Sequence, residues 1–435
     1  CLLSRGLGDV YKRQAVIGAG IVGISSANWL KKYGQDVTLY DMNDPGSQAS
    51  YGNAGTYAKY ANIPTNSSSY FYLFPYLLLN KNSPLFISLK RLNETFPWII
   101  KYLSNCRNEK VNHTVQHLTT LLSHMDDGYE DLFNEANVEN YISRESIMYG
   151  WSTKLFFNAA KRDFSKREET GVKITTLSRD DISDLEPNIN NIFYKGALFE
   201  GSYFAKSPIK VSEALMKLFI KKGGKFKKEK VISIKKTETN QINIKTSSGE
   251  SLHDRVVITS GVWSNDLLKH IGDKVPLEAE RGYHLVNPEL KNIVKRPISW
   301  QERGTYFTPM SDGLRTGGIV EFGALNETKN ERVLNFLNRA LKEVFPSADS
   351  PQKTWVGFRP SVPDSLPVIG QSPKNPYIYY NFGHQHIGWS LGGISGKLVA
   401  QQICANNTDL DLSPYSVKRF KSVSYTHLRA HETRG

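Results

Sequence analysis

The sequence predicts an α/β fold: a Rossmann-type parallel sheet that binds a dinucleotide, joined to a second, α+β domain built on an antiparallel sheet. Three stretches predict it. Residues 15–41 read as strand, glycine turn, helix, strand and acid. Residues 207–261 read as helix, strand, meander and strand, and they return Thr259-Ser260-Gly261 to a strand end, where such sheets bind their ligand. Residues 281–352 alternate apolar and polar positions, as in Tyr306-Phe307-Thr308 and Leu314-Arg315-Thr316, around one amphipathic helix near 330–344.

In the first stretch each part has a mechanical reason. A short apolar run from Ala15 turns through Gly18-Ala19-Gly20 and enters a helix at Ile21-Val22-Gly23. Gly18 permits the tight turn, Gly20 lets the backbone approach a pyrophosphate, and Gly23 lets helix and strand pack closely. Ile24, Ala27 and Leu30 form the apolar face, Lys31 and Lys32 suit the C-terminal dipole, and Gly34 ends the helix. The strand Val37-Thr38-Leu39-Tyr40 then delivers Asp41, which can bond a ribose hydroxyl. A pyrophosphate fits over the free N–H groups at the helix start. Glycines at this spacing alone often mark only a turn; strand, helix, second strand and acid in order make the dinucleotide site. NAD and FAD both satisfy this stretch.

Residues 43–55 are rich in turn formers and small residues, suited equally to an ordinary loop and to close approach of a flat ligand. Residues 70–103 are aromatic and aliphatic, which fits a membrane-surface patch or, preferentially, buried helices of the second domain. Ser207 and Pro208 start a helix whose apolar face is Ile209, Ala214, Leu215 and Leu218 and which Gly223-Gly224 ends. A strand Val231–Ile234 follows, a hairpin turns at Ser247-Ser248-Gly249, and a strand runs from Arg255 to Ile258, so that this helix–strand–meander–strand run would extend the Rossmann sheet. After Trp355–Asp364 and Pro367–Gly370, the run Tyr379–Gly393 makes a second glycine-rich strand-to-helix junction, with its helix reaching Ile403.

Of the 435 residues, 1–14 and 423–435 resemble a translated sequencing adaptor and its reverse complement, and are expected to be scars. The remainder exceeds what one core usually supports, so two domains are expected. A net charge of +13 could suit nucleic acid, an anionic membrane face or an anionic substrate, but the lysines are scattered apart from Lys221–Lys230. That cluster reads as a solvated face, so nucleic acid is excluded. Cys106 and Cys404 form no C-x-x-C pair, which suits a reducing, cytoplasmic compartment, and no stretch of about 20 apolar residues spans a membrane. No metal-ligand spacing occurs.

The chain resembles FAD-dependent D-amino-acid dehydrogenases of the small-subunit type, within the wider family of D-amino-acid, glycine and sarcosine oxidases. The resemblance rests on VIGAGIVG with Asp41, SYGNAG (50–55), NKNSPLFI, PWIIKYL, VITSGVWS, ERGYHL, GFRPSVPDSLPVIG and NFGHQHIGWSLGG, and covers nearly everything from 15 to 421. It implies a glutathione-reductase-like, DAO-type FAD-binding domain from residues 15–90, 200–280 and 353–421, and a substrate-binding domain from 91–199 and 281–352. It also favours burial of 70–103. It implies that Gly18, Gly20, Gly23 and Asp41 hold the ADP half of FAD, and that Ser50 and Asn53 lie along the flavin chain. Val231 would offer its backbone to the adenine and Gly261 would pass near the pyrophosphate. Gly383, Trp389, Gly392 and Gly393 would border the isoalloxazine, with the helix start after Gly393 stabilising negative charge on the reduced ring. Arg359 matches the arginine that pairs with the substrate carboxylate.

Relatives with covalent flavin carry a histidine where this chain has Gly52, or a cysteine near Gly357-Phe358-Arg359, so non-covalent FAD is expected. The segment RGYHL departs from the Gly-Tyr-Ser of well-known dehydrogenases; Tyr283 and His284 stand as candidate catalytic residues, with a structural role for His284 favoured. His384 and His386 are candidates by chemistry alone. The implied reaction is oxidative deamination of D-amino acids, D-proline and hydroxyproline among them, by hydride transfer to FAD. A quinone or other electron carrier would be the acceptor, with peripheral contact on an inner membrane and partner subunits. The alternatives are a sarcosine or glycine oxidase, a nicotinamide-dependent dehydrogenase and a non-catalytic flavoprotein subunit.

Overall fold

The computed structural model describes residues 12–66, 85–87, 92–323, 325–326, 328–405 and 407–420. Most of the aromatic run at 70–91 and nearly all of both adaptor-like ends lie outside these residues. The first strand, Arg13–Ile17, takes in two residues ahead of 15, pairing Arg13 with Asp36 and Gln14 with Val37.

Among the described residues six strands form the Rossmann-type sheet, in the order Lys225–Lys228, Asp36–Asp41, Arg13–Ile17, Arg255–Ile258, Ile378–Phe382, Val368–Gln371; all neighbours are parallel except the last pair. Its central strands are apolar on both faces, as a sheet covered on both sides requires. Val16, Leu39 and Val257 pack against the helices Ile21–Lys32, Pro208–Lys221, Gly388–Cys404 and Met125–Ala136. Their neighbours Ala15, Tyr40, Val256 and Ile258 pack against an antiparallel meander and the helix Ser264–Ile271.

That meander corrects one expectation. The strand Val231–Lys236 does not extend the parallel sheet; it pairs antiparallel with Ile242–Thr246, which pairs with Glu250–His253, and the three lie across the sheet's face. The strand that does enter the sheet is Lys225–Lys228, at its edge. Only its Phe226 side chain turns inward, and Lys225 and Lys228 reach Asp36 and Asp44 at 3.2 and 2.8 Å. Lysine on an edge strand discourages further pairing. The helix Pro208–Lys221 forms behind its proline, but Ser207 makes no side-chain cap, and the buried face is Val211, Leu215, Leu218 and Phe219, leaving Ile209 and Ala214 at its margin.

The second sheet runs Lys353–Ser361, Glu278–Asn287, Gly313–Phe322, Thr305–Met310, Ile298–Trp300, Ile147–Trp151, Lys195–Phe199, Ile174–Leu177, with Leu85–Ile87 also beside Gly313–Phe322. It is antiparallel as expected except at two parallel contacts, Ile298–Trp300 on Ile147–Trp151 and Leu85–Ile87 on Gly313–Phe322. The helix Glu331–Val344, capped by Asn330, covers one face through Val333, Phe336 and Leu337. Segment 353–361, grouped by sequence with the dinucleotide-binding part, is an edge strand of this second sheet. In the helix Leu92–Ser104, Thr95 and Trp98 are buried, with Trp98 Nε1 donating to the Pro276 carbonyl at 3.0 Å, whereas Phe96 and Ile100 are exposed; burial holds for one face only. No helix among the described residues is long and apolar enough to cross a membrane.

Candidate active site

At the first glycine junction, Gly18 has φ +110°, and side chains at Gly18 or Gly23 would run into backbone: Thr259 and Ser260 for Gly18, the Gly18 carbonyl for Gly23. Thr259 locks the turn by donating its hydroxyl to the carbonyls of Ile17 and Gly18 at 2.9 and 2.8 Å. Gly20 differs. Its φ of −72° suits any residue, and a Cβ there would meet only Ser50 Oγ, at 3.3 Å. Gly20 is glycine for the space in front of it. Ser50 reaches in from its loop to accept the Ile21 N–H at 2.9 Å, capping the helix that Gly20 cannot cap.

Asp41 accepts the Ala19 N–H at 2.7 Å and the Asn43 N–H at 2.8 Å. Burial raises its pKa and these backbone bonds oppose the rise. Two of the roughly four acceptor sites of its carboxylate are thus used in holding it against the turn. Across the sheet, Gly261 has φ +54° with open space where a side chain would stand, and the neighbouring Ser260 Oγ is buried without a hydrogen-bond partner. Val231 opens the meander strand opposite Thr246, on the sheet face away from the first helix.

The loop 50–55 is clamped to the second sheet. Arg315, 4% exposed, donates to the carbonyls of Tyr51 and Asn53 at 2.7 and 2.8 Å, with its guanidinium 5.2 Å from the Tyr51 ring. Asn53 Oδ1 accepts from Gly55 N–H at 2.8 Å, so this side chain shapes the loop itself. His284 Nδ1 lies 3.4 Å from the Gly52 carbonyl and stacks on Trp355 with centroids 5.0 Å apart. Burial, with Arg315 nearby, depresses the His284 pKa and keeps it neutral. Trp355 occupies the space that a side chain at Gly52 or Gly357 would need.

Cross-strand register puts Glu280 opposite Arg359, Gly282 opposite Gly357 and His284 opposite Trp355, all on the sheet face toward loop 50–55. Arg359 lies over Gly282 and donates to the carbonyls of Ile319 and Gly318 at 2.8 and 3.1 Å. Ile319 holds φ +57°, rare for a β-branched residue, beside a break in register with Glu278–Asn287. Burial lowers the Arg359 pKa while Glu280 opposes that, and burial raises Glu280 while Arg359 opposes that. Tyr283 points to the other face. Its hydroxyl donates to Glu321, which also pairs with Arg281 at 3.3 Å and accepts from Asn330 at 2.6 Å, under the helix Glu331–Val344. The structure therefore does not bring Tyr283 together with His284 and Arg359.

At the second junction Gly383, φ +82°, ends the strand Ile378–Phe382, and the helix already begins at Gly388. Gly392 and Gly393 thus sit in its second turn rather than before its start. A side chain on Gly393 would enter the Gly128 backbone, and one on Gly392 would meet Tyr129 Oη at 2.9 Å. They are helix-crossing glycines, and no N-terminal dipole begins after them. Trp389 is buried, its Nε1 has no hydrogen-bond partner, and its carbonyl accepts from Tyr129 Oη at 2.7 Å. His384 is buried with Nε2 3.1 Å from Ser395 Oγ, and burial lowers its pKa to about 3: a neutral ring tied into its own helix.

A profile of the DAO family, described as FAD-dependent oxidoreductases, matches residues 13–402. The chain belongs to that family. This FAD-dependent oxidoreductase is 32% identical to a D-amino-acid oxidase of Bradyrhizobium diazoefficiens, over 93% of this chain and 98% of the relative. It is 25% identical to a D-amino acid dehydrogenase of Rhizobium rhizogenes, over 93% and 99%. Its fold matches a glycine oxidase from Geobacillus kaustophilus with TM-score 0.75 at 19% identity, covering 94% of this chain and all (100%) of that one, and an L-proline dehydrogenase from P. horikoshii with TM-score 0.74 at 17% identity, covering 94% and 97%. The open space at Gly20 and Gly261, the unpartnered Ser260 hydroxyl and the oriented Asp41 fit the diphosphate and ribose of FAD.

Sequence reasoning missed Arg315 and Thr259. Arg315 did leave a signal, a charge within the otherwise uncharged Gly313–Gly318 stretch of its strand. Thr259 was noted only as a small residue, and its two bonds depend on a strand 240 residues away in the chain meeting the first.

Proposed function

We propose that the protein oxidises amino acids, D-amino acids foremost, with FAD held non-covalently. The observation that carries this reading is Arg359: a half-buried guanidinium, pinned by two carbonyls on the sheet face that looks toward loop 50–55. Two of its five N–H donors are spent on those carbonyls, so the fork is already oriented and the others are left for a carboxylate. The names of the full-length relatives supply the substrate class. Gly18, Gly20, Gly23, Asp41, Ser50 and Gly261 would hold the dinucleotide, and FAD supplies a two-electron acceptor for hydride. The chain's own part is orientation. Holding the carboxylate fixes the Cα–H direction, and loss of hydride and an amine proton leaves an imino acid that water hydrolyses to 2-oxo acid and ammonia. Trp355, filling the space beside Gly52 and Gly357, leaves no room for a linking side chain at either position. A quinone or other electron carrier is the proposed acceptor.

An anaerobic flavin-bleaching screen over D-amino acids, D-hydroxyproline and N-methyl amino acids tests the substrate class, and peroxide formation in air separates an oxidase from a dehydrogenase. Arg359→Met is expected to keep the flavin while kcat/KM falls roughly 30- to 5,000-fold, the cost of about 2–5 kcal/mol for a lost desolvated charge pair. Arg359→Lys should recover part of it, since it restores charge without the fork. Near-parental reduction by the Met variant would take Arg359 out of the substrate site.

A further inference from the structure

The loop between the strand Ile378–Phe382 and the helix Gly388–Cys404 carries two histidines with opposite fates. His384 is buried against Ser395. His386 is exposed, although Gln385 and Ile387 on either side of it are buried. The cause is Gln385, whose φ of +50° turns the chain and whose N–H and Nε2 donate to the carbonyls of Pro360 and Val362 at 3.1 and 2.9 Å. A non-glycine residue in the left-handed region is held there only by such surroundings. The first of these bonds ties the loop to the residue next to Arg359.

His386 is accessible and yet crowded. Its surroundings push its pKa down to about 4, first by loss of water and then by the nearby Arg359 charge. The Gln385 N–H bond to the Pro360 carbonyl brings this exposed ring into the neighbourhood of Arg359. Of the other ionisable groups here, Glu280 is buried on the strand beside Arg359 and His384 is uncharged. The imidazole is thus a neutral acceptor, next to the group proposed for the carboxylate.

We propose that His386 accepts a hydrogen bond from the substrate's amino group while Arg359 holds its carboxylate, so that two points fix the Cα–H direction. This rests on the amino-acid reading above. Any α-amino or α-imino acid presents a carboxylate and an amine N–H on the same carbon, whereas a simple carboxylate offers only the first. The role makes His386 a substrate-contacting residue that sequence alone left undistinguished from His384.

The test compares holoenzyme with His386→Phe and His386→Gln. The Phe variant is expected to keep FAD and to bind a carboxylate lacking an amine, such as propionate, with unchanged affinity in a flavin spectral titration. Its anaerobic reduction rate by the best amino acid should fall about 10- to 100-fold, the loss of one hydrogen-bond acceptor to the substrate. The Gln variant should recover part, since its amide oxygen also accepts. Reduction within twofold of parent, or equal loss of propionate binding, overturns the proposal. So does an ionisation between pH 5 and 9 that vanishes in the Phe variant, because the ring would then titrate rather than stay neutral. If no amino acid reduces the parent flavin, the amino-acid reading fails and takes this one with it; parent reduction with an unaffected Phe variant sinks this one alone.

Discussion

The two glycine-rich junctions look alike in sequence and do different work. Each runs from an apolar strand through glycines into a helix, Ile17–Gly23 in one case and Phe382–Gly393 in the other. At the first, Gly20 has ordinary dihedrals and faces open space. At the second, Gly392 and Gly393 face the helices Ile21–Lys32 and Met125–Ala136, and Gly396 meets the backbone of Ser25 and Ser26. Glycine records that something must come close. At one junction the proposed neighbour is a ligand; at the other it is a second helix.

Substituting the glycines separates these roles. Gly20→Val is expected to fold, since φ −72° suits valine, yet to lose FAD, because the side chain fills the space a diphosphate needs. Purified variant with a parental FAD-to-protein absorbance ratio would contradict the site. Gly393→Val should do the reverse, costing about 3 kcal/mol by overpacking two helix backbones. Thermal unfolding of the apo forms would reveal it as a Tm lowered by several degrees, while Gly20→Val leaves the apo Tm near parental. Equal Tm for both variants would erase the distinction.

Asp41→Ala sharpens the first junction. It removes the proposed ribose partner and an anchor of the Ala19 N–H, so FAD binding should weaken by about 1–3 kcal/mol, read by titration of the apoprotein. Unchanged affinity would assign Asp41 to the turn alone. The smallest effect concerns the second junction and acid. His384 is buried neutral with a pKa near 3, against about 6.5 in the unfolded chain. A base whose folded pKa is depressed lets the unfolded state bind the extra proton, so its contribution is intact above pH 6.5 and is lost as pH falls toward 3. His384→Gln should flatten the acid limb of stability by about 1.4 kcal/mol per pH unit in that window. His253 and His284, also buried and neutral, should leave the rest of the limb standing. Urea unfolding at pH 7, 6 and 5 would measure the slopes, and parallel slopes would show that His384 is protonated in the fold.

The sequence by itself determined what depends on neighbours along the chain. Strand, turn and helix from Ala15 to Asp41 follow from periodicity, glycine spacing and a closing acid, all within reach of local sterics. So do the helix behind Pro208 and the alternation of the second sheet. Only tertiary structure decided which strands share a sheet, because register is set by what covers each face. The short strand Lys225–Lys228, with Phe226 turned inward, took the edge of the sheet, and the meander expected to extend the sheet covers its face instead. Tyr283 and His284 are adjacent in sequence and so point to opposite faces of one strand, one under a helix and one over loop 50–55. Arg315 and Thr259 gain their places from partners in remote segments, and no pattern along the chain encodes a contact whose other half lies more than two hundred residues away.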